Sequence, residues 1–105
     1  MAPNIFSCDP EWFKKLKDSQ EKVVIASWCG GDEKCNQWLE KLAKLENEGL
    51  PVFVCDINSC PSIAESIKVT SPGETVVFSG GEEKGRLVPG EDFESDLKRV
   101  KELAE

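Results

Sequence analysis

The run Lys22-Val23-Val24-Ile25-Ala26-Ser27-Trp28 constrains this chain more than any other stretch. Its four central residues are apolar with no polar alternation, so a strand built from them must be covered on both faces. Such a strand belongs inside a sheet with helices on either side. Cys29-Gly30-Gly31 follows directly, and then Trp38, Leu39, Leu42 and Leu45 recur at helical spacing. That spacing predicts a helix over 32–48, with Asp32 as its cap and Gly49 as its stop.

The rest of the chain extends this pattern. Asp9-Pro10-Glu11 has the cap, first-position proline and early acid of a helix start. Trp12, Phe13 and Leu16 then predict a helix to near Ser19, with a short strand at Ile5-Phe6 before it. Val52 to Ile57 reads as a second buried strand, and Pro61 opens a short helix carrying Ile63, Ala64 and Ile67. Beyond Ser71-Pro72-Gly73-Glu74, Thr75 to Phe78 and Lys84 to Val88 read as a hairpin turning over 79–83. A last helix is predicted from about Glu91, with Phe93, Leu97, Val100 and Leu103 or Ala104 on one face. The order βαβαβα then ββα predicts an α/β architecture of three layers, α/β/α, around a mixed central sheet.

A length of 105 residues with 39% hydrophobic content suits one domain spanning 1–105 with its own core. Twenty acidic residues against thirteen basic ones give a formal charge of −7, which argues against nucleic acid. No apolar run approaches the ~20 residues of a spanning helix, so no membrane association is expected. Met1 to Ser7 has neither a basic start nor an apolar core, so no signal peptide is expected. The cytoplasm is then the expected compartment, and a monomer the expected state.

Five cysteines and no histidine narrow the chemistry. An odd count cannot pair fully within one molecule, which weakens a purely structural disulfide framework. Without imidazole there is no Cys/His pair, and the work falls to thiols, carboxylates and backbone. Cys29 leaves the buried strand where functional groups gather in open α/β sheets, beside a helix start that favours thiolate. Cys35 lies near the first turn of that helix, within reach of Cys29 over a short loop. One thiol attacking a disulfide and the other resolving the mixed disulfide is the simplest use of this layout. The plainer alternative is that both are small apolar residues at a strand end and a helix start.

The other cysteines read more simply. Cys55, in mid-strand, is expected in the core. Cys60, before Pro61, is expected to fill the turn, with an exposed and reactive thiol as the alternative, and Cys8 pairs with it only if the fold brings them close. A zinc site of Cys29, Cys35, Cys55 and Cys60 lacks the usual ligand spacing, so no metal and no other cofactor is expected. Trp12 and Trp38 are expected in the core, Asp56 as a solvated strand-end acid, and Gly80-Gly81 as hairpin punctuation.

The stretch Val23-Val24-Ile25-Ala26-Ser27-Trp28-Cys29-Gly30 resembles the strand and Trp-Cys-Gly start of the thioredoxin active site. The resemblance continues through the helix after Cys35, Phe53 to Ile57, Ser71-Pro72, Val76 to Phe78 and the last helix, over nearly the whole chain. It implies the thioredoxin fold and a thiol–disulfide oxidoreductase taking part in electron transport and redox homeostasis. Cys29 would be the nucleophile and Cys35 the resolving thiol, with Trp28, Gly30 and Pro72 as substrate-binding positions. Protein disulfides would be the substrates, and a disulfide reductase the recharging partner.

Three departures accompany the resemblance. Five residues, Gly30 to Lys34, separate the cysteines where thioredoxins have two, and they bring Asp32 and Glu33 near, with Lys34 as a counterweight. The buried acid that thioredoxins carry before the active site is replaced by Val23 or a neighbour. The cis-proline falls on Pro72 if one residue is inserted, and on Gly73 without a gap; Pro72 is preferred, since a cis bond costs far less before proline. The missing acid and longer loop also suit a rival reading, a redox-inactive interaction module on the same fold.

Overall fold

Alternate residues of the apolar run part company in the computed structural model. Val24 and Ala26 join one buried cluster with Trp38, Leu39, Leu42 and Val100, while Val23 and Ile25 join another with Cys55, Ile67 and Val76. One strand thus supplies two cores, as its unbroken hydrophobicity requires.

The structure describes residues 4–5, 14, 18, 22–28, 30–55, 61–69 and 71–104. In chain order they form β1 (Asn4–Ile5), β2 (Lys22–Ser27), α1 (Glu33–Ala43), a 3-10 turn (Lys44–Glu48), β3 (Val52–Cys55) and α2 (Pro61–Ile67). There follow β4 (Thr75–Ser79), β5 (Glu82–Leu87) and α3 (Phe93–Leu103). The sheet has five strands in the order β1-β3-β2-β4-β5. β3 lies parallel to both β1 and β2, while β4 runs antiparallel to β2 and β5 antiparallel to β4. β2 is therefore central, as its sequence demands. α1 and α3 contribute to the Val24 cluster and α2 to the Val23 cluster, so helices cover both faces of a mixed sheet.

Several boundaries differ from expectation. The helix expected over 32–48 is regular only to Ala43 and tightens into the 3-10 turn for its last five residues. The hairpin loop is two residues instead of five, because Gly80 and Gly81 both take positive φ, +62° and +83°. A two-residue turn with that backbone continues the twist of its strands, so pairing runs on through Ser79 and Glu82. The last helix starts at Phe93, with Asp92 as cap accepting the Ser95 N–H at 3.2 Å. The expected first helix lies outside the described residues except Lys14 and Asp18, which are helical and exposed. Trp12, Asp56 and Ile57 also lie outside them. Among the described residues no helix is long and apolar enough to cross a membrane.

Trp38 fixes α1 to the sheet. Its ring is fully buried, stands 5.6 Å from that of Phe93, and donates Nε1–H to Thr75 Oγ1 at 2.9 Å. Thr75 Oγ1 in turn donates to the Gly73 carbonyl at 2.9 Å. A buried indole needs a partner for its N–H, and this one anchors the helix to the segment in front of β4.

Candidate redox site

Asp32 caps α1 as its position predicts, its Oδ1 accepting the backbone N–H of Cys35 at 3.0 Å. Cys35 thereby occupies the first turn, with its side chain turned into the core beneath the sheet edge. It is disulfide-bonded, and its partner cysteine lies outside the described residues. Cys29, Cys8 and Cys60 all lie outside them, so only the Cys35 half of the expected pair is described. Cys55 is a fully buried thiol in the cluster on the opposite face of the sheet from Cys35. With a β-sheet between them, those two sulfurs cannot share a four-thiolate metal site.

The residues around Cys35 include one that the resemblance alone misplaces. A Cβ built on Gly73 would lie 2.8 Å from Cys35 Sγ, closer than real side-chain contacts allow, and a tight 3.2 Å from Pro89 Cγ. Gly73 is therefore the residue that faces the sulfur, as the gapless match has it, and Pro72 is exposed one residue earlier. No cis peptide bond occurs among the described residues, which corrects the expectation of a cis bond at Pro72. The reason is turn chemistry. The Glu74 N–H donates to Ser71 O at 3.1 Å and Gly73 has φ +77°, the pattern of a type II turn. Such a turn places a trans proline second and a glycine third, which is the order Pro72-Gly73.

This turn is tied down from three sides. Gly73 N–H donates to Ser27 O at 3.1 Å, and Ser27 N–H donates to Glu74 O at 2.9 Å, which locks the turn to the end of β2. Trp38 holds it from below through Thr75. Arg86 holds it from the side, donating to Glu74 Oε2 at 3.1 Å, to Ile67 O at 2.7 Å and to Lys68 O at 2.9 Å. The same guanidinium makes a two-pronged contact with Glu83, at 3.0 and 2.6 Å. Hydrogen bonding to Arg86 holds the Glu83 carboxyl below its ordinary range, against partial burial, and raises Arg86 in return.

Trp28 is about half exposed at the end of β2, its N–H donating to Cys55 O at 2.9 Å. Val88, just beyond β5, is exposed at the same end of the sheet, since Ala26 pairs with Thr75 and Thr75 with Leu87. Gly30 and Pro72 are exposed as well. Asp32 and Glu33 face solvent, and Lys34 Nζ pairs with Glu91 at 3.1 Å. On β2 the place of a buried acid is held by Val23, fully enclosed. Glu74, the buried carboxylate beside Gly73, is engaged with Arg86. Arg86 and Asn36 carry no motif that singles them out in the sequence. For Gly73 the available signal was the Pro-Gly pair, which favours a type II turn.

Similarities to known proteins agree with this geometry. No protein-family model matches the chain. It is 27% identical over 104 residues to the chloroplastic thioredoxin M4 of Arabidopsis thaliana and 35% identical over 64 residues to a thioredoxin of Echinococcus granulosus. It is 28% identical over 83 residues to a bifunctional thioredoxin reductase/thioredoxin of Mycobacterium leprae. These matches cover 93%, 61% and 76% of this chain, and 53%, 59% and 18% of the relatives' own lengths. Among solved structures, a mutant thioredoxin from Halobacterium salinarum superposes with a TM-score of 0.83 at 14% identity, over 99% of this chain and 92% of that one. Oxidised mitochondrial thioredoxin 3 of Saccharomyces cerevisiae gives 0.80 at 22% identity, over 95% and 94%. The chain has the thioredoxin fold, and the curated proteins whose sequences it resembles are thioredoxins or contain one.

Proposed function

We propose that this protein is a thiol–disulfide oxidoreductase that reduces protein disulfides by cycling Cys29 and Cys35 between dithiol and disulfide. The observation that carries the reading is the oxidised state of Cys35, whose sulfur sits in the first turn of α1 against Gly73. The reading assigns Cys29 as its partner. A buried sulfur one helical turn inside the site suits a resolving thiol, which reacts within the molecule and needs no access for a substrate.

In the cycle, Cys29 as thiolate attacks one sulfur of the substrate disulfide, forming a mixed disulfide. The departing substrate thiolate takes up a proton. Cys35 loses its proton and attacks the Cys29 sulfur, which forms the Cys29–Cys35 bond and releases the second substrate thiol. Two electrons and two protons pass from protein to substrate, and a disulfide reductase returns them, in the cytoplasm on this reading. That the Mycobacterium leprae relative is a bifunctional thioredoxin reductase/thioredoxin supports such a partner. Exposed Trp28 and Pro72 would give a substrate chain its apolar footing, and exposed Gly30 leaves room for close approach.

The rival, a redox-inactive module, draws on Val23 in place of an acid and on the trans Pro72 turn. Differential alkylation with mass mapping across a redox titration separates the two. The enzyme reading expects Cys29 and Cys35 to become protected together, at one midpoint, with turnover of a protein disulfide when a reductant is supplied. Cys35 coupling to Cys8 or Cys60, or a Cys29 that alkylates at the rate of an ordinary thiol under all conditions, would falsify it.

A further inference from the structure

The side chain of Asn36, half-buried in α1, turns back onto the chain in front of the helix. Its Nδ2 donates to Gly30 O at 3.0 Å and to Asp32 O at 2.9 Å, and its backbone N–H donates to Asp32 O at 2.9 Å. Asparagine is a poor helix former because it bonds to nearby backbone in this way. Here it lies in α1 directly after Cys35, and Gly30 directly follows Cys29. One amide therefore ties the chain beside one cysteine to the chain beside the other. A Cβ added at Gly30 or Gly31 would meet no atom within 4 Å, so packing holds these two residues little.

We infer that Asn36 is a positioning residue that sets the redox equilibrium of Cys35 by clasping the 30–32 segment onto the first turn of α1. The inference rests on the reading of Cys29 and Cys35 as a cycling pair. A five-residue spacer loses more freedom on closure than a two-residue one, and a disulfide holds it closed in any case. On this proposal the clasp, together with the helical turn at 33–34 and the Asp32 cap, holds part of the spacer in place already in the dithiol. It leaves less to be lost when the bond forms, and so favours the disulfide. Without it the dithiol gains freedom that the disulfide cannot, and the equilibrium moves toward dithiol.

The experiment equilibrates parent, Asn36→Ala and Asn36→Gln proteins in glutathione buffers. As the Cys29–Cys35 bond forms, two thiols give up two electrons and two protons, and glutathione disulfide takes them up as two molecules of glutathione. Asn36→Ala is expected to lower the closing constant about tenfold, a rise in midpoint potential of ~30 mV. Alanine is the better helix former, so the melting temperature of the reduced protein should hold or rise. A merely structural role would lower that melting temperature and leave the potential alone. Asn36→Gln keeps the amide donors and should fall between parent and Asn36→Ala. An Asn36→Ala potential within ~10 mV of the parent, with the parent pair cycling, overturns the clasp and spares the proposed function. A parent in which Cys29 and Cys35 never couple overturns both.

Discussion

Replacing Gly73 with alanine tests the placement of the turn against the sulfur. A non-glycine residue in the left-handed region costs about 1–2 kcal/mol. The new methyl group would overlap Cys35 Sγ at 2.8 Å and crowd Pro89 Cγ at 3.2 Å, both parts of a packed interior. Overpacking of this size costs about 1–3 kcal/mol. Alanine regains up to ~1 kcal/mol by restricting the unfolded chain. The net loss is then about 1–5 kcal/mol, or roughly 5–25 °C of melting temperature for a domain of this size. Urea unfolding followed by tryptophan fluorescence measures it, with Gly31→Ala as the control. Gly31 has ordinary φ and open space around it, so that change should lie within ~0.5 kcal/mol. The Gly73→Ala loss should also shrink under reductant, because a thiol can change rotamer where a bonded sulfur cannot. A Gly73→Ala loss below ~1 kcal/mol, equal in oxidised and reduced protein, refutes the contact between Gly73 and Cys35 Sγ.

Trp38→Phe keeps an aromatic ring in the core but removes the donor to Thr75; a loss of ~1–3 kcal/mol is expected in the same urea assay. Arg86→Met leaves the buried Glu74 carboxylate without its cation and should cost about 2 kcal/mol near neutral pH. Folding favours ionised Glu83, so the Arg86–Glu83 share of the Arg86 contribution is complete above the ordinary glutamate pKa of about 4.3 and fades as pH falls through the depressed folded value. The gap between parent and Arg86→Met melting curves should therefore narrow with acidification, and a constant gap would count against the Arg86–Glu83 pair. Trp28→Ala, at a half-exposed position, should raise KM for a protein disulfide about tenfold with little effect on melting; a kcat defect at unchanged KM would remove Trp28 from substrate contact.

The architecture is legible in the sequence because few local patterns compete with it. The unbroken apolar run at 23–26 forces a central strand, and the Trp38-Leu39-Leu42-Leu45 stripe forces a helix on one face. Asp32 caps its helix as the sequence predicts, while the last helix starts at Phe93 under an Asp92 cap and not near Glu91. Differences gather where local geometry depends on pairs of residues. Pro72 alone invites a cis bond, but Pro72-Gly73 together make a type II turn that needs a trans one. Gly80-Gly81 likewise shortens the hairpin that a polar stretch of five suggests. Arg86 is invisible in the sequence because its partners, Glu74, Glu83 and the carbonyls at the end of α2, converge only after folding. The pairing of Lys34 with Glu91, 57 residues away, is invisible in the sequence for the same reason.

The relay from Trp38 through Thr75 to Gly73 divides the site into two mechanical classes. Its bonds are buried and join a core helix to a core strand, so the indole proton of Trp38 should exchange with solvent deuterium only when the whole domain opens. The amides of Gly30 and Gly31, exposed in front of α1, should exchange through local fluctuations. Reduction of Cys35 would then change deuterium uptake in the second group and leave the first unmoved, with one wall of the site serving as a fixed reference for the other.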